Sequence, residues 1–229
     1  MTSSLDPATE RALIEWIEQR MQSGAAAHAR GYQGAVYLYE AGPRRLIVKV
    51  AWGRGLRGWA RRWMLRREHA VYVRLAGFAG SPRCHGLLCG RYLVLDYVAA
   101  EPLRRVRPAD PATYYDTLLA HIQELHRRGV AHADLKRRDN LLVVDGRFPC
   151  LIDFGAAVVR KPGFAPLNHW LYRLAQRFDY NAWAKLKYDG RFEDMTPEDR
   201  RYYRRTATER LARAIKRAYL GVKRRVAGS

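Results

Sequence analysis

One stretch of the chain decides the fold: residues 132–155 read HADLKRRDNLLVVDGRFPCLIDFG. It contains Asp134 in a His-Ala-Asp motif, then Asn140 before an apolar strand, then Asp153-Phe154-Gly155 after a second strand. Phosphoryl transfer requires a carboxylate that orients and deprotonates the attacking hydroxyl, and oxygen ligands that hold magnesium against the phosphates. Motifs in this order, with these strands between them, indicate a phosphotransfer loop.

These motifs resemble those of the protein-kinase-like superfamily, and the resemblance extends over about residues 30–187. It implies a two-lobed fold that uses ATP and Mg²⁺ as cofactors. The implied roles in the loop are catalytic base for Asp134, magnesium ligand for Asn140 and Asp153, and neutralisation of the transferring phosphoryl group for Lys136.

A lysine upstream of the loop fits the same resemblance. Lys49 ends the apolar run Ile47-Val48-Lys49, and the resemblance assigns it to the ATP phosphates. Glu68, nineteen positions later, is then its predicted ion-pair partner. A lysine in a strand is by itself usually an edge residue, so the prediction depends on this partner.

The nucleotide-binding residues are predicted from two further segments. The run from Gly31 to Val36, with Gly34 between them, resembles the second half of a kinase glycine-rich loop, whose backbone amides approach the phosphates. The segment Leu95-Asp96-Tyr97-Val98 falls where the two lobes should connect. We therefore expect the Asp96 carbonyl and the Val98 amide to bind the adenine edge.

Some features depart from the common kinase pattern. Five residues separate Asp134 from Asn140, one more than usual, which leaves Asp139 as a second candidate for the metal. Ala133 replaces an arginine that senses a phosphorylated activation segment, and no Ala-Pro-Glu motif follows Gly155. Asp179 has two interpretations, an anchor beneath the catalytic loop or an ordinary helix cap.

Apolar periodicity and turn residues predict an α+β fold with an antiparallel N-lobe sheet plus helix and a mainly helical C-lobe. We expect one kinase-like domain over residues 1–229, with an N-lobe at 1–98 and a C-lobe at 99–229. Helices are predicted after Asp6-Pro7, over 59–75 and 111–128, and beyond 167, and strands over 35–39, 45–50, 92–98, 140–144 and 149–152, with a break at Glu101-Pro102.

The charge of the chain is its most unusual bulk property. A net charge of +20 and a pI near 10.4 predict attraction to a polyanion, either nucleic acid, an anionic membrane or a phosphorylated substrate, unless the basic surface is merely solvated. Three cysteines suit neither a zinc site nor a disulfide framework, which favours a cytoplasmic location. No signal peptide or membrane-spanning run is evident, so we expect a soluble or peripheral protein.

A basic, tryptophan-rich run precedes Glu68 and bears on the acceptor. Its members are Trp52, Arg54, Arg57, Trp59, Arg61, Arg62, Trp63, Arg66 and Arg67. Such a helix suits anionic lipid or a phosphorylated glycolipid, although Trp59 and Trp63 have a second interpretation as core residues. A second basic region, residues 200–225, fits the same surface.

Short length and a brief segment after Gly155 make the chain most similar to bacterial lipopolysaccharide-core (Kdo and heptose) kinases. That resemblance implies a lipopolysaccharide-core acceptor at the cytoplasmic face of the inner membrane. Two alternatives stay open. Lys136 favours a RIO-like serine/threonine protein kinase, and the charge would also suit a non-enzymatic module that binds lipid or RNA. No nucleic-acid motif is present, so nucleic acid is not the expected partner.

Overall fold

An antiparallel sheet of five strands fills the N-terminal part of the chain. The computed structural model describes residues 4–23, 29–31 and 34–204. Within them the sheet has the order β1-β2-β3-β5-β4. Its strands are β1 (Ala29–Gly31), β2 (Gly34–Ala41), β3 (Arg44–Val50), β4 (Cys84–Leu88) and β5 (Tyr92–Asp96).

Period-two alternation gives this sheet two different faces. On β3, Val48 and Val50 point into a cluster beneath the first helix, whereas Ile47 and Lys49 point to the opposite face. On β5, Val94 joins that first cluster, and its neighbours join the core shared with the helices. Lys49 is therefore directed toward the second helix and the C-terminal half of the chain.

Helix α1 (Pro7–Gln22) covers the outer face of the sheet. The Asp6 side chain accepts a hydrogen bond from the Thr9 amide at 2.9 Å, and Pro7 occupies the first helical position, as the sequence predicts. Leu13 and Ile17 are fully buried against the sheet. The predicted opening helix is confirmed, and its packing closes one face of the sheet from water.

Helix α2 (Gly55–Arg74) begins four residues earlier than predicted. Leu65, Glu68 and Tyr72 form its inward stripe. Trp59 and Trp63 lie outside that stripe and are 59% and 47% exposed. Their interpretation as core residues is therefore wrong, because other side chains of the helix already fill the inward positions.

The C-terminal half, as far as Arg204, is mainly helical and contains two small sheets. Its remaining elements are β6 (Glu101–Pro102), α3 (Pro111–Arg127), β7 (Val130–Ala131), β8 (Leu141–Val144), β9 (Phe148–Leu151), β10 (Val158–Val159), α4 (Pro166–Lys187) and α5 (Pro197–Arg200). Three short 3-10 turns span Arg138–Asn140, Phe154–Ala156 and Phe192–Asp194. Strand β8 pairs with β6 and β9, and β10 pairs with β7.

The α+β, two-lobed fold class is confirmed, and most predicted elements are present. The expected break at Glu101-Pro102 lies in the connection between β5 and α3, where these two residues also pair with β8 as the short strand β6. Helix does not continue throughout the region beyond 167, since α4 ends at Lys187. Among the described residues no helix is both long and apolar enough to cross a membrane.

Candidate active site

A lysine and two carboxylates meet between the sheet and α2. Lys49 Nζ lies 2.6 Å from Glu68 Oε1 and 3.1 Å from Asp153 Oδ1. Glu68 is fully buried on the inward face of α2, and Lys49 is directed to it by the alternation of β3. The structure thus brings Lys49 against its predicted partner and adds Asp153 to the pair.

The electrostatics of this cluster favour its charged form. Burial alone would lower the pKa of Lys49, but the adjacent Glu68 and Asp153 carboxylates outweigh burial and raise it. Burial would likewise raise the pKa of Asp153, yet the Lys49 ammonium and the Gly155 amide hold that pKa below its usual value. Lys49 and Asp153 are therefore both ionised at neutral pH.

The backbone at Asp153 is held in an uncommon conformation. Its φ of +63° and ψ of 72° lie in the left-handed region, immediately before the turn Phe154–Ala156. Phe154 is buried, with its ring 5.1 Å from that of Tyr72 and 4.8 Å from that of His132. Packing of Phe154 onto α2 and onto the predicted catalytic loop, residues 132–140, thereby restricts the orientation of the Asp153 carboxylate.

In the catalytic loop, the structure brings Asn140 to Asp134. Asn140 is buried, and its Nδ2 donates to the Asp134 carbonyl at 3.0 Å and to Asp134 Oδ2 at 3.2 Å. Asp139 instead faces outward and accepts a hydrogen bond from Arg104 Nε at 2.7 Å. The geometry favours Asn140 over Asp139, while the metal role stays a prediction.

Asp179 supports the loop from beneath. It is fully buried inside α4, where Oδ2 accepts from the His132 amide and Oδ1 from the Ala133 amide, both at 2.8 Å. Ala133 has a φ of +66°, which costs a non-glycine residue on the order of 1 kcal/mol. The predicted anchoring role of Asp179 is confirmed, and its interpretation as a helix cap is wrong because it lies well inside the helix.

A histidine missed by the sequence reasoning completes this support. His126 Nε2 lies 3.0 Å from Asp179 Oδ2. The residue is on α3, one turn after the buried Ile122 and next to the buried Leu125. The sequence carries one indication of this role, a histidine on the apolar face of α3. A buried ring nitrogen needs a polar partner, so a histidine at such a position points to a contact with a polar side chain.

The predicted nucleotide-binding residues lie along the sheet. Gly31 pairs with Gly34 across β1 and β2, and residues 32–33 of the predicted loop lie outside the described residues. Val36 of β2 pairs with Lys49 of β3. Asp96 is the last residue of β5, and Val98 follows two positions later. Both residues predicted to bind the adenine edge therefore lie where β5 leaves the sheet.

Gly34 is at a position where the backbone excludes a side chain. Its φ is +154°, and a Cβ placed on it would lie 2.1 Å from the Val50 carbonyl oxygen. Lys136, by contrast, is exposed two positions after Asp134. A close backbone approach at Gly34 and an exposed cation at Lys136 are both compatible with the phosphate contacts predicted for them.

The donor set also fits Mg²⁺. Because Asn140 uses its Nδ2 as a donor to Asp134, its Oδ1 is turned away and remains an acceptor. Asp153 supplies an ionised, partly exposed carboxylate. The described residues contain no group of three or more His, Cys, Asp or Glu side chains that could hold a metal. Magnesium that arrives with a nucleotide needs only one or two protein ligands besides phosphate and water.

Comparison with known proteins gives partial similarities to kinases. No protein-family model matches the chain. It is 31% identical over 107 residues to a probable serine/threonine-protein kinase of Arabidopsis thaliana, an alignment that covers 43% of this chain and 18% of that protein. It is also 41% identical over 59 residues to the dual specificity protein kinase Ttk of Danio rerio. That alignment covers 26% of this chain and 6% of Ttk. The chain thus spans less than a fifth of the length of either relative. With the fold and the site geometry, these similarities support a place for the chain in the protein-kinase-like superfamily.

Proposed function

We propose that the protein is an ATP- and magnesium-dependent phosphotransferase with an alcohol group as acceptor. The observation that carries the proposal is the convergence of Lys49, Glu68 and Asp153, together with a loop in which Asn140 holds Asp134. The two groups are joined by the backbone, because the amide of Ile152, next to Asp153, donates to the Asn140 carbonyl at 3.0 Å. Phosphoryl transfer needs a cation for the phosphates and an oriented carboxylate for the attacking hydroxyl. Lys49, held between two carboxylates, suits the first need, and Asp134, held by Asn140, suits the second.

Each residue then has a chemical role. Two donors of the Lys49 ammonium are used by Glu68 and Asp153, so the third remains for a phosphate oxygen. Asp134 accepts the proton of the acceptor hydroxyl, and Lys136 supplies positive charge to the transferring group. Asp153 and Asn140 would hold Mg²⁺, which neutralises phosphate charge when it is bound.

The catalytic test compares two carboxylates of the same loop. Asp134→Asn should lower the rate of phosphate transfer from labelled ATP by about 10²- to 10⁴-fold, because the hydroxyl loses its base. ATP binding, measured by calorimetry, should stay unchanged. Asp139→Asn is the matched control, since Asp139 faces Arg104 at the surface and should keep its activity. Equal transfer by wild type and Asp134→Asn would exclude Asp134 as the base.

For the acceptor, a sugar hydroxyl of the lipopolysaccharide inner core at the cytoplasmic face of the inner membrane is our first candidate. Only residues 156–165 separate Gly155 from α4, which leaves little room for a peptide-docking platform. The exposed tryptophans and arginines of α2 suit a phosphorylated glycolipid in an anionic membrane.

A protein acceptor is the second candidate, because both partially similar curated proteins are protein kinases by name. Labelling of delipidated core oligosaccharide, intact lipopolysaccharide and a generic protein separates the candidates. Transfer to protein alone would reject the glycolipid. A non-enzymatic lipid- or RNA-binding protein would transfer no phosphate to any of the three, with or without Asp134.

A further inference from the structure

An exposed apolar surface lies on the helix that supports the catalytic loop. We call it the α4 patch; its members are Phe164, Leu167, Trp170 and Leu171, which are 97%, 70%, 58% and 42% exposed. The last three recur at helical spacing on α4, and the buried Tyr172 and Ala175 face the catalytic loop instead. Phe164 precedes the first turn of α4 by two residues, so four exposed apolar side chains fall within eight positions of the chain. Exposed apolar patches of this kind mark interaction sites.

The sequence that carries the α4 patch has basic but no acidic residues. Residues 160–178 include Arg160, Lys161, Arg173 and Arg177 and contain no aspartate or glutamate. Aromatic and aliphatic side chains flanked by arginine and lysine are the composition of surfaces that lie at the boundary between lipid headgroups and acyl chains.

A second surface on α2 has the same composition. We call it the α2 patch; it comprises Trp52, Leu56, Trp59 and Trp63, with Leu56 86% exposed. Residues 52–67 contain six arginines and no acidic residue. Arg61 stacks on Trp52 and Arg67 on Trp63, at 4.5 Å and 4.8 Å from the ring centroids. Each stacked pair therefore presents an apolar ring and a cation side by side.

The segment that follows Asp153 joins the two patches. Arg67 Nη2 on α2 donates to the Ala157 carbonyl at 3.5 Å. The next two residues form β10, and the Lys161 amide then donates to Asn168 Oδ1 in the first turn of α4 at 2.8 Å. This continuous path connects Trp63 at one end with Trp170 at the other and runs beside the catalytic loop, because β10 pairs with β7.

We propose that the α2 patch and the α4 patch together form one docking surface for an anionic lipid bilayer. Charge complementarity favours this occupant, because both patches are basic and the chain has a net charge of +20. A second copy of the chain would bring like charges together. The C-terminal residues 205–229 are also strongly basic and would be repelled in the same way. Delivery of Asp134 to a lipid-borne acceptor additionally rests on the proposed function.

Vesicle flotation of the full chain tests the docking surface. Wild type should bind vesicles of phosphatidylcholine mixed with phosphatidylglycerol, and not pure phosphatidylcholine. Trp59→Ser with Trp63→Ser, and separately Phe164→Ser with Trp170→Ser, should each weaken binding about tenfold or more, because apolar area no longer enters the interface. Phe148→Ser is the matched control, since Phe148 is 47% exposed on β9, outside both patches.

The outcomes are distinct from those of the catalytic test. The exposed positions of the substituted residues predict unchanged thermal unfolding, which checks that each variant is folded. Asp134→Asn should bind vesicles like wild type, so a failure of the kinase proposal leaves this result intact. Three results would overturn the proposal. The first is a patch variant that binds vesicles as tightly as wild type, and the second is a loss of vesicle binding in Phe148→Ser equal to that of the patch variants. The third is wild-type protein that binds single-stranded RNA but not anionic vesicles.

Discussion

At the scale of single residues, Gly34 shows how backbone geometry restricts the sequence. Gly34→Ala should lower the free energy of unfolding by about 2 kcal/mol or more, because the new Cβ meets the Val50 carbonyl oxygen. Gly42→Ala is its control, since Gly42 also has a positive φ, +58°, but no heavy atom within 4 Å of a Cβ. Gly42→Ala should lower the free energy of unfolding by only about 1 kcal/mol, through backbone strain. Urea denaturation measures both, and equal losses would show that the contact with Val50 is unimportant.

Asp179 is a positioning residue whose effect should reach the chemistry. In Asp179→Asn, one of the two oxygens becomes an NH₂ group that faces a backbone amide of His132 or Ala133. We expect a loss of about 1 to 3 kcal/mol in stability and a lower kcat with an unchanged KM for ATP.

The control for this variant is Asp189→Asn, at an exposed residue that pairs with Arg138 just beyond α4. It should change neither stability nor kcat. A KM effect in Asp179→Asn without any kcat effect would show that Asp179 does not position the catalytic loop.

The site could be read from the sequence where a motif fixes both residue type and spacing. Motif spacing predicts Lys49, Glu68, Asp134, Asn140 and Asp153. The structure brings Lys49, Glu68 and Asp153 into contact, and it brings Asn140 into contact with Asp134. Motif spacing does not predict His126, because its contact with Asp179 joins two helices that are far apart in sequence. Local spacing carries no information about that contact.

At the scale of elements, α1 contributes stability far from the chemistry. Leu13→Ala should destabilise the protein by about 2 to 5 kcal/mol, because Leu13 is fully buried between α1 and the sheet. Leu56→Ala is the same change at an exposed position and should stay within about 0.5 kcal/mol of wild type. The midpoint of urea denaturation measures the stability of both variants. A small effect at Leu13 would mean that α1 is only loosely attached to the sheet.

Element prediction succeeded where local signals were strong and failed where they were weak. Helices α1 and α3 begin at Asp6-Pro7 and Asp110-Pro111, where an aspartate cap is followed by proline. Strand β4 was not predicted, because its half-buried residues show no alternation. The sequence does not determine which face of α2 points inward, because arginines and tryptophans occupy several faces of this helix.

At the scale of the whole molecule, one hydrophobic core joins the sheet to the helices. It includes Leu93 and Leu95 of β5, Leu65 of α2, and Ile122 and Trp183 of the C-terminal helices. Because neither half buries this core alone, we expect a single cooperative unfolding transition. Tryptophan fluorescence and far-ultraviolet circular dichroism should give coincident urea curves. Two separated transitions would show that the halves are independently stable.

The position of Asp179 also has a consequence for biosynthesis. The left-handed Ala133 and the orientation of Asp134 depend on a carboxylate that is translated 45 residues after Asp134 (179 − 134). At ordinary synthesis rates the ribosome needs about 2 to 9 seconds to cover that distance. A nascent chain that already carries Lys49, Glu68 and Asp153 therefore still lacks the carboxylate that accepts the His132 and Ala133 amides, and this loop can reach its final conformation only after α4 has been synthesised.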